Sequence, residues 1–341
     1  MEQHELQKGP LLDKTGNPIE SGYAYSLVKD YDRNAIKARQ SRIKEWDYYY
    51  FGNHEVGIAI TIDDNSYMDL CSVTLFDYRK KVYYEKSRMH FFTFGKHCFP
   101  STSKTGDVSY RDKAVDITFH NKEGDRLIEG VYHGYKDKKD LTFRLKISEV
   151  RDATMVIVTP FLKKRHFYYN QKINNLVAEG EIRLGNETYE VRNMSGVLDW
   201  GRGVWTRINT WYWASMNDRT EDGTPIGFNL GYGFGDTSKA SENMFFFGDK
   251  AYKLQDVRFE IPKGKNGKED YDLPWKMASK KGDIQLTFTP LIHRRGGGNA
   301  IFIHSIQNQI FGLYDGFIKI GETVHEIRNC SGFAEKVYNR W

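Results

Sequence analysis

Apolar and polar residues alternate with a period of two along much of the chain. Ile182 and Leu184, for example, alternate with charged residues and are followed by the turn-forming pair Gly185-Asn186. Successive side chains of a strand point to opposite faces, so this pattern predicts a β-hairpin with one buried face. A second hairpin turn of the same kind is predicted at Gly321.

One face of a predicted strand at residues 228–235 carries almost no side chains. Asn229 and three glycines alternate there with large apolar residues, namely Phe228, Leu230, Tyr232 and Phe234. A bare glycine face inside a strand indicates that a ring, another backbone or a ligand lies close against it. We therefore expect this face to be covered.

The chain contains an internal repeat. Residues 180–205 align without a gap on residues 316–341, with nine identical positions in 26. A looser similarity between the beginnings of the two units pairs Trp46 with Trp211, and the strict alignment pairs Trp205 with Trp341. Repetition at a fixed offset indicates a duplicated structural unit.

Composition and unit length favour an all-β fold. The chain has 31 glycine, 22 tyrosine and 21 phenylalanine residues but only 8 prolines, which is typical of strands joined by turns. Each unit is long enough for about eight strands, the number that closes a small barrel. We therefore predict two tandem antiparallel barrels, each partly open, that arose by internal duplication. The predicted boundaries are a lead-in of residues 1–44, a first barrel of 45–205 and a second barrel of 206–341.

The charge of the chain is nearly balanced. Fifty basic and 45 acidic residues give a net charge of +5 and are spread along the sequence, which argues against a nucleic-acid partner. The basic stretch of residues 33–44 is the exception. Neither a signal peptide nor a run of 18 apolar residues is present, so we expect a cytoplasmic protein without an integral membrane segment.

The sequence predicts neither a cofactor nor a metal. Its three cysteines are too far apart for a zinc motif, and its histidines do not show ligand spacing. The glycine-rich segments 231–236 and 294–299 do not match a phosphate-binding loop or a dinucleotide fingerprint. We expect the first to be part of a strand and the second to be a mobile loop.

A motif that occurs in both copies, E-x-R-N-x-S-G, is expected to be structural, because a chemical site need not occur twice. Arg192 and Arg328 are predicted to clamp across a barrel end. Gly196 and Gly332 are predicted to permit a bulge or close packing.

Four of the seven tryptophans fall within fourteen residues, at Trp200, Trp205, Trp211 and Trp213, around Asp199 and Arg202. A carboxylate surrounded by rings is desolvated, which raises its pKa and allows it to donate a proton. A buried Arg202 would oppose this, and an Asp199–Arg202 pair that only locks the barrels together is the structural alternative. In the second copy Glu335 stands at the position of Asp199, whereas Tyr338 replaces Arg202.

Glu242 is the second candidate acid or base, and a solvated strand entrance is its structural alternative. The candidate catalytic residues are thus Asp199 and Glu242. The candidate ligand-binding residues are Trp200, Arg202, Trp205, Trp211, Trp213, Asn229, Tyr232 and Asn243. Aromatic residues at this spacing also suit a packed core.

Several long motifs resemble those of a known family. They are LLDKTGNPIESGYA, KEWDYYY, SGVLDWGRGVW, GFNLGYGFGD and CSGFAEKVYNRW. Together they resemble a bacterial family catalogued as domain of unknown function 2804. More remotely, the duplicated architecture is similar to that of carotenoid 1,2-hydratase-like proteins.

The second resemblance implies a calycin-like, lipocalin-like barrel fold and an apolar ligand site at or between the barrels. The hydratases place a histidine two residues before a tryptophan, where this chain has Trp211-Tyr212-Trp213. Three hypotheses follow, and none fixes an oligomeric state. The first is a binder of a small, mostly apolar metabolite such as an isoprenoid, acyl or polyketide-like compound. The second is a cofactor-independent acid–base lyase, hydratase, isomerase or cyclase that uses Asp199, and the third is a structural or stress-related interaction protein without a ligand.

Overall fold

The computed structural model describes residues 3–300 and 303–340. Within these residues the chain is almost entirely β-structure, apart from two short 3-10 helices, Arg33–Ala35 and Gln40–Arg42. The strands of the first half are β1 (Gly9–Pro10), β2 (Gly22–Ala24), β3 (Lys29–Asp30), β4 (Lys44–Gly52), β5 (Val56–Asp64), β6 (Asp69–Asp77), β7 (Val82–Arg88), β8 (Val108–Arg111), β9 (Val115–Lys122), β10 (Asp125–Lys136), β11 (Lys139–Ser148), β12 (Met155–Pro160), β13 (Phe167–Leu184) and β14 (Glu187–Val204). Those of the second half are β15 (Ile208–Arg219), β16 (Pro225–Tyr232), β17 (Met244–Phe247), β18 (Lys250–Lys253), β19 (Val257–Glu260), β20 (Trp275–Ser279), β21 (Ile284–Ala300), β22 (Ile303–Ile320) and β23 (Thr323–Arg340).

All strands except β1 and β3, which pair with each other in parallel, form two curled antiparallel half-barrel sheets, as predicted from the sequence. The first has the order β7-β6-β5-β4-β14-β13-β11-β10-β9-β8, and β12 and β2 extend it beside β13. The second has the order β18-β17-β16-β15-β23-β22-β21-β20-β19. In both sheets a meander runs outward from the first long strand, and the last strand returns to pair with that same strand.

The two sheets are copies of one unit, which confirms the predicted duplication. The hairpin β13–β14 and the hairpin β22–β23 have bounds that differ by 136 at every end. Gly185 and Gly321 in their turns have φ angles of 59° and 58°, and Asn193 and Asn329 have φ angles of 48° and 51°. Residues that adopt the left-handed region without strain are restricted to glycine and a few polar types, and this requirement keeps these positions alike in both copies.

The proposed correspondence of Trp46 with Trp211 is also confirmed. Trp46 of β4 lies opposite Gly201 of β14, and Trp211 of β15 lies opposite Val337 of β23. Gly201 and Val337 are again 136 residues apart. Trp341, which the repeat pairs with Trp205, lies outside the described residues.

Each curled sheet encloses its own apolar core. The first core includes Tyr49, Tyr169 and Trp200, and the second includes Phe228, Trp275 and Tyr314. Buried apolar side chains line both interiors. The short β2 of the lead-in pairs with β12. We keep the domain boundaries at residues 44 and 205 as a proposal that limited proteolysis would test.

The two sheets pack against each other through their outer faces. Three apolar clusters contain residues of both sheets, and one of them joins Tyr50 and Val197 to Trp213 and Phe333. We call this region, where β4, β13 and β14 meet β15, β16, β22 and β23, the junction. No helix in the described ranges is long and apolar enough to span a bilayer.

Three local expectations were wrong. Arg192 and Arg328 do not clamp a barrel end, because each pairs with an exposed glutamate two residues earlier on its own strand. The segment 294–299 is not a loop but belongs to β21. Phe234 does not continue the apolar face of β16, because the strand ends at Tyr232 and the chain turns at Gly233, whose φ is 97°.

The two repeated glycines behave as expected. A Cβ on Gly196 would lie 2.3 Å from the ring of Phe51, and a Cβ on Gly332 would lie 2.5 Å from the carbonyl oxygen of Ser215. Close packing with the neighbouring strands therefore requires glycine at both positions.

Candidate active site at the junction of the two sheets

Asp199 of β14 forms a buried ion pair that reaches the second sheet. Its Oδ2 lies 2.8 Å from Lys172 Nζ, and its Oδ1 accepts a hydrogen bond from Asn170 Nδ2 at 2.6 Å. The Lys172 side chain is only 3 % exposed. Its Nζ lies 3.6 Å from the centre of the Trp213 ring, in cation–π geometry. The ion pair of the first sheet is thus covered by a ring from the second.

The sequence-based pair of Asp199 with Arg202 does not form. Residues three apart on a strand face opposite sides, so Arg202 points into the first barrel. There its NH1 lies 2.9 Å from Asp47 Oδ1, and its guanidinium lies 4.2 Å from the centre of the Trp200 ring. Trp200 and Arg202, which were predicted to bind a ligand, therefore belong to the core of the first barrel.

Glu335 occupies the equivalent position in the second sheet but has neutral partners. Trp211 Nε1 donates to its Oε1 at 2.8 Å, and Gln309 Nε2 donates to its Oε2 at 3.2 Å. Burial raises the pKa of Glu335 to about 7, and the nearby Asp199 adds to this effect, whereas Trp211 and Lys172 oppose it. A carboxyl group with this pKa holds a proton near neutral pH and can donate it.

Glu242 lies against the bare face of β16. A Cβ on Gly231 would lie 2.5 Å from Glu242 Cδ, so only glycine leaves room for this carboxyl group. Asn229 Nδ2 lies 3.3 Å from Glu242 Oε2, while Asn229 Oδ1 accepts from Trp213 Nε1 at 2.7 Å. Burial raises the pKa of Glu242, and Asp199 raises it further, whereas Lys172 lowers it. The expectation that the glycine face is covered is confirmed.

The side chains of the two remaining candidate residues, Tyr232 and Asn243, have partners other than the acids. Tyr232 faces the interior of the second barrel, where it stacks on Tyr212 at 4.6 Å. The Asn243 side chain accepts from Gly231 N at 2.7 Å and donates to Gln255 O at 2.9 Å, and so it holds the end of β16. Neither side chain reaches the acids.

Aromatic side chains from both sheets form a cluster at the junction, and one of them, Trp211, contacts Glu335. We call Trp46, Phe161, Tyr168, Trp205, Trp211 and Phe234 the junction aromatic cluster. Phe234 contacts Tyr168, Trp205 and Trp211, with ring centres 4.8, 5.5 and 5.1 Å away. Burial raises the pKa of Tyr168 well above its usual range, and the negative charges of Asp199, Glu242 and Glu335 all add to this. All three acids are therefore near enough to Tyr168 to act on it electrostatically.

Sequence reasoning missed Lys172, Asn170 and Gln309. Lys172 lies opposite Asp199 and Gln309 lies opposite Glu335 only because of the register of each terminal hairpin. The repeat did contain one usable signal, because it aligned Glu335 with Asp199. Among the residues that the structure describes, no cluster of His, Cys, Asp and Glu has the geometry of a metal site.

Comparison with known families decides the membership of the chain. The model of a family described as a domain of unknown function, DUF2804, matches residues 3–341. The chain belongs to this family. A search among curated proteins gave no match.

Two solved structures share the architecture. An AttH-like protein from Nitrosomonas europaea is 12% identical with a TM-score of 0.53, over 92% of this chain and 98% of that one. Kievitone hydratase from Nectria haematococca is 13% identical with a TM-score of 0.50, over 98% of both chains. At these identities the likeness is one of fold, and it confirms the expected similarity to hydratase-like two-barrel proteins.

Proposed function

We propose that this protein is a cofactor-independent acid–base enzyme of the lyase, hydratase or isomerase type, acting on a small, mostly apolar molecule at the junction. The observation that carries the proposal is the contrast between two equivalent acids. Asp199 is paired with a lysine, whereas Glu335 has neutral partners and a pKa of about 7. Titratable groups in unlike environments are the arrangement that assigns separate acid and base roles.

In the proposed reaction Glu335 donates its proton to a double bond or a carbonyl oxygen of the substrate. The positive charge that develops is stabilised by the faces of the surrounding aromatic rings. Glu242, in its deprotonated form, accepts a proton, either from an attacking water or from the neighbouring carbon of the substrate. Water attack completes a hydration, and loss of the carbon-bound proton completes an isomerisation. The Lys172–Asp199 ion pair acts electrostatically on both acids and so influences their pKa values.

Two unpartnered polar atoms support the presence of a ligand site here. Asn170 Oδ1 and Trp205 Nε1 are buried, and no hydrogen-bond partner for them exists among the described residues. Buried polar atoms in proteins nearly always have a partner. Asn170 Oδ1 is an acceptor and Trp205 Nε1 is a donor, so a ligand hydroxyl can pair with either atom, whereas a ligand carbonyl can accept only from Trp205 Nε1. Because Asp199 and Glu335 are only 7% and 8% exposed, the ligand must displace neighbouring side chains on entry.

The name of one structural relative, kievitone hydratase, agrees with this class of reaction, although the relation is one of fold. The chain lacks the histidine that the hydratases place two residues before a tryptophan, and the proton donor proposed here is Glu335. The alternative is a protein that binds such a molecule without catalysing a reaction. The junction aromatic cluster alone would favour this alternative.

The test is a screen for addition or loss of water and for uptake of deuterium from heavy water. The panel holds apolar enones, alkenes and tertiary alcohols, with products followed by mass spectrometry. Glu335→Gln should abolish turnover and keep affinity within about tenfold, because an amide retains most of the hydrogen bonds. Glu326→Gln, an exposed position on the same strand, is the matched control and should retain turnover.

Turnover that survives Glu335→Gln would contradict the assignment of the acid. Binding of a panel compound, seen by quenching of tryptophan fluorescence, without turnover by the wild type would favour the binder instead. If the wild type neither bound nor converted any panel compound, the result would favour the hypothesis of an interaction protein without a ligand.

A further inference from the structure

A basic cleft opens beside the junction aromatic cluster. Its volume is about 820 Å3, and three chain segments line it, at residues 37–42, 163–166 and 206–207. Two of these segments lie next to cluster residues along the chain, because Trp205 directly precedes Thr206 and Phe161 lies two residues before Lys163. Arg42 NH2 donates to the carbonyl oxygen of Trp205 at 3.1 Å. The cleft and the aromatic cluster thus share walls.

The cleft concentrates positive charge without any acidic residue. Seven lysine and arginine side chains and His166 line it, and no carboxylate does. The net charge of the whole chain is +5, so the remainder of the chain is net acidic. The basic stretch noted in the sequence at residues 33–44 supplies one wall.

The cations of the cleft are close enough to repel one another. Burial lowers the pKa of Arg42, and the positive charge of Arg207 lowers it further. Burial also lowers the pKa of His166, and the charges of Lys163 and Arg42 add to this. Like charges held together without carboxylates are the arrangement expected of an anion-binding site.

We propose that the cleft binds a phosphate or diphosphate group whose apolar substituent lies against the junction aromatic cluster. The inference that this phosphate or diphosphate belongs to the substrate rests on the proposed function. The inference that the cleft binds the anion does not. Guanidinium groups match the geometry of phosphate oxygens and bind them in a bidentate manner, and the cleft offers several of them. The shared wall formed by Trp205 and Arg42 would place the anionic end outside and the apolar part toward Tyr168 and the acids.

The shape of the cleft favours a small molecule over a nucleic acid. Its volume lies in the range of pockets that enclose one small ligand. Nucleic-acid binding requires a basic stripe that follows a phosphate backbone over many contacts, and the balanced charge of the rest of the chain does not provide one. Exposed Leu162 and Ile208 border the cleft and can contact the apolar part of a lipid. The phosphate can therefore come from a soluble metabolite or from a lipid headgroup.

The test measures binding of inorganic diphosphate to the full chain by calorimetry at low ionic strength. Lys163→Glu/Arg207→Glu changes two exposed cations of the cleft and should weaken binding more than about tenfold. Lys280→Glu/Lys281→Glu makes the same change of charge in the exposed turn after β20. It should weaken binding less than about threefold, because only the long-range effect of the changed charge, which ions screen, reaches the cleft. Phosphatidylglycerol vesicles, with and without competing diphosphate, distinguish a lipid from a soluble source.

Binding that only the cleft variant loses supports the proposal, and vesicle binding that diphosphate displaces assigns the phosphate to a lipid. Absence of diphosphate binding, or equal loss in both double variants, would overturn it. Binding of single-stranded RNA without binding of diphosphate would also overturn it, in favour of a nucleic-acid partner. Glu335→Gln should bind diphosphate as the wild type does, so failure of the catalytic proposal and failure of this one are separable.

Discussion

Asp199→Asn tests whether three acids share one lysine at the junction. Removing one member of a buried ion pair usually costs about 3–5 kcal/mol, because the other charge stays buried and unpaired. Lys172 differs from this case, since its charge also acts on Glu242 and Glu335. Loss of the Asp199 charge removes one cause of the raised pKa of Glu335. Glu335 then ionises more readily and replaces Asp199 as a counter-charge for Lys172.

We therefore expect Asp199→Asn to cost less than about 3 kcal/mol at pH 8 and more at pH 5, where Glu335 is protonated and cannot compensate. Asp47→Asn is the matched control. It removes the carboxylate partner of Arg202, a fully buried guanidinium whose other recorded hydrogen bonds are to backbone carbonyls. Because arginine stays charged at both pH values, this variant should cost about 3–5 kcal/mol at pH 8. Burial raises the pKa of Asp47, so the cost of Asp47→Asn should be no greater at pH 5, which is the opposite trend to that expected for Asp199→Asn.

The assay is urea denaturation of the wild type and both variants at pH 5 and pH 8, followed by tryptophan fluorescence and circular dichroism. Equal slopes would show that the denatured states are comparable. If Asp199→Asn proved as costly as Asp47→Asn at pH 8, or if its cost did not depend on pH, the idea of shared counter-charges would be refuted.

Two further predictions concern Glu335 and Gly231. The pKa of Glu335 is about 7 in the folded protein against 4.5 for an ordinary glutamate. The contribution of protonated Glu335 to the free energy of unfolding is therefore fully present below about pH 4.5 and is lost as the pH rises to about 7. Linkage makes this loss about 3 kcal/mol. Glu335→Gln should therefore become more stable relative to the wild type by up to that amount between pH 5 and pH 8, and parallel denaturation profiles for the two proteins would contradict this. Gly231→Ala should destabilise the protein by about 1–3 kcal/mol through the contact with Glu242. The penalty should shrink in a Glu242→Ala background, and additive effects in the double-mutant cycle would show that Glu242 does not cover this glycine.

The duplication could be predicted from sequence because it rests on backbone geometry. Gly185, Gly321, Asn193 and Asn329 adopt positive φ, and few residue types tolerate it, so the same letters recur at the same offset. The strand period likewise predicted the all-β class. These features depend on residues close together in the chain.

The site depended on contacts that the sequence does not display. Lys172 meets Asp199 only through the register of a long hairpin, and Trp213 covers Lys172 only because the sheets pack back to back. The predicted pair of Asp199 with Arg202 conflicts with strand alternation, which places the two side chains on opposite faces. The role of Glu335 was half visible, since the repeat aligned it with Asp199 but did not show that Gln309 lies opposite Glu335, whereas Lys172 lies opposite Asp199.

That last difference has a consequence for the origin of the fold. In a symmetric dimer of one unit, the two facing acids would be encoded by the same codon and would have identical neighbours. Neither could then be specialised as a proton donor without the other. In a single chain the two acids can have different neighbours, and here Lys172 lies opposite Asp199 and Gln309 lies opposite Glu335. Fusion thus released the two halves from symmetry, and their later divergence could create an acid and a counter-charge from a single ancestral position.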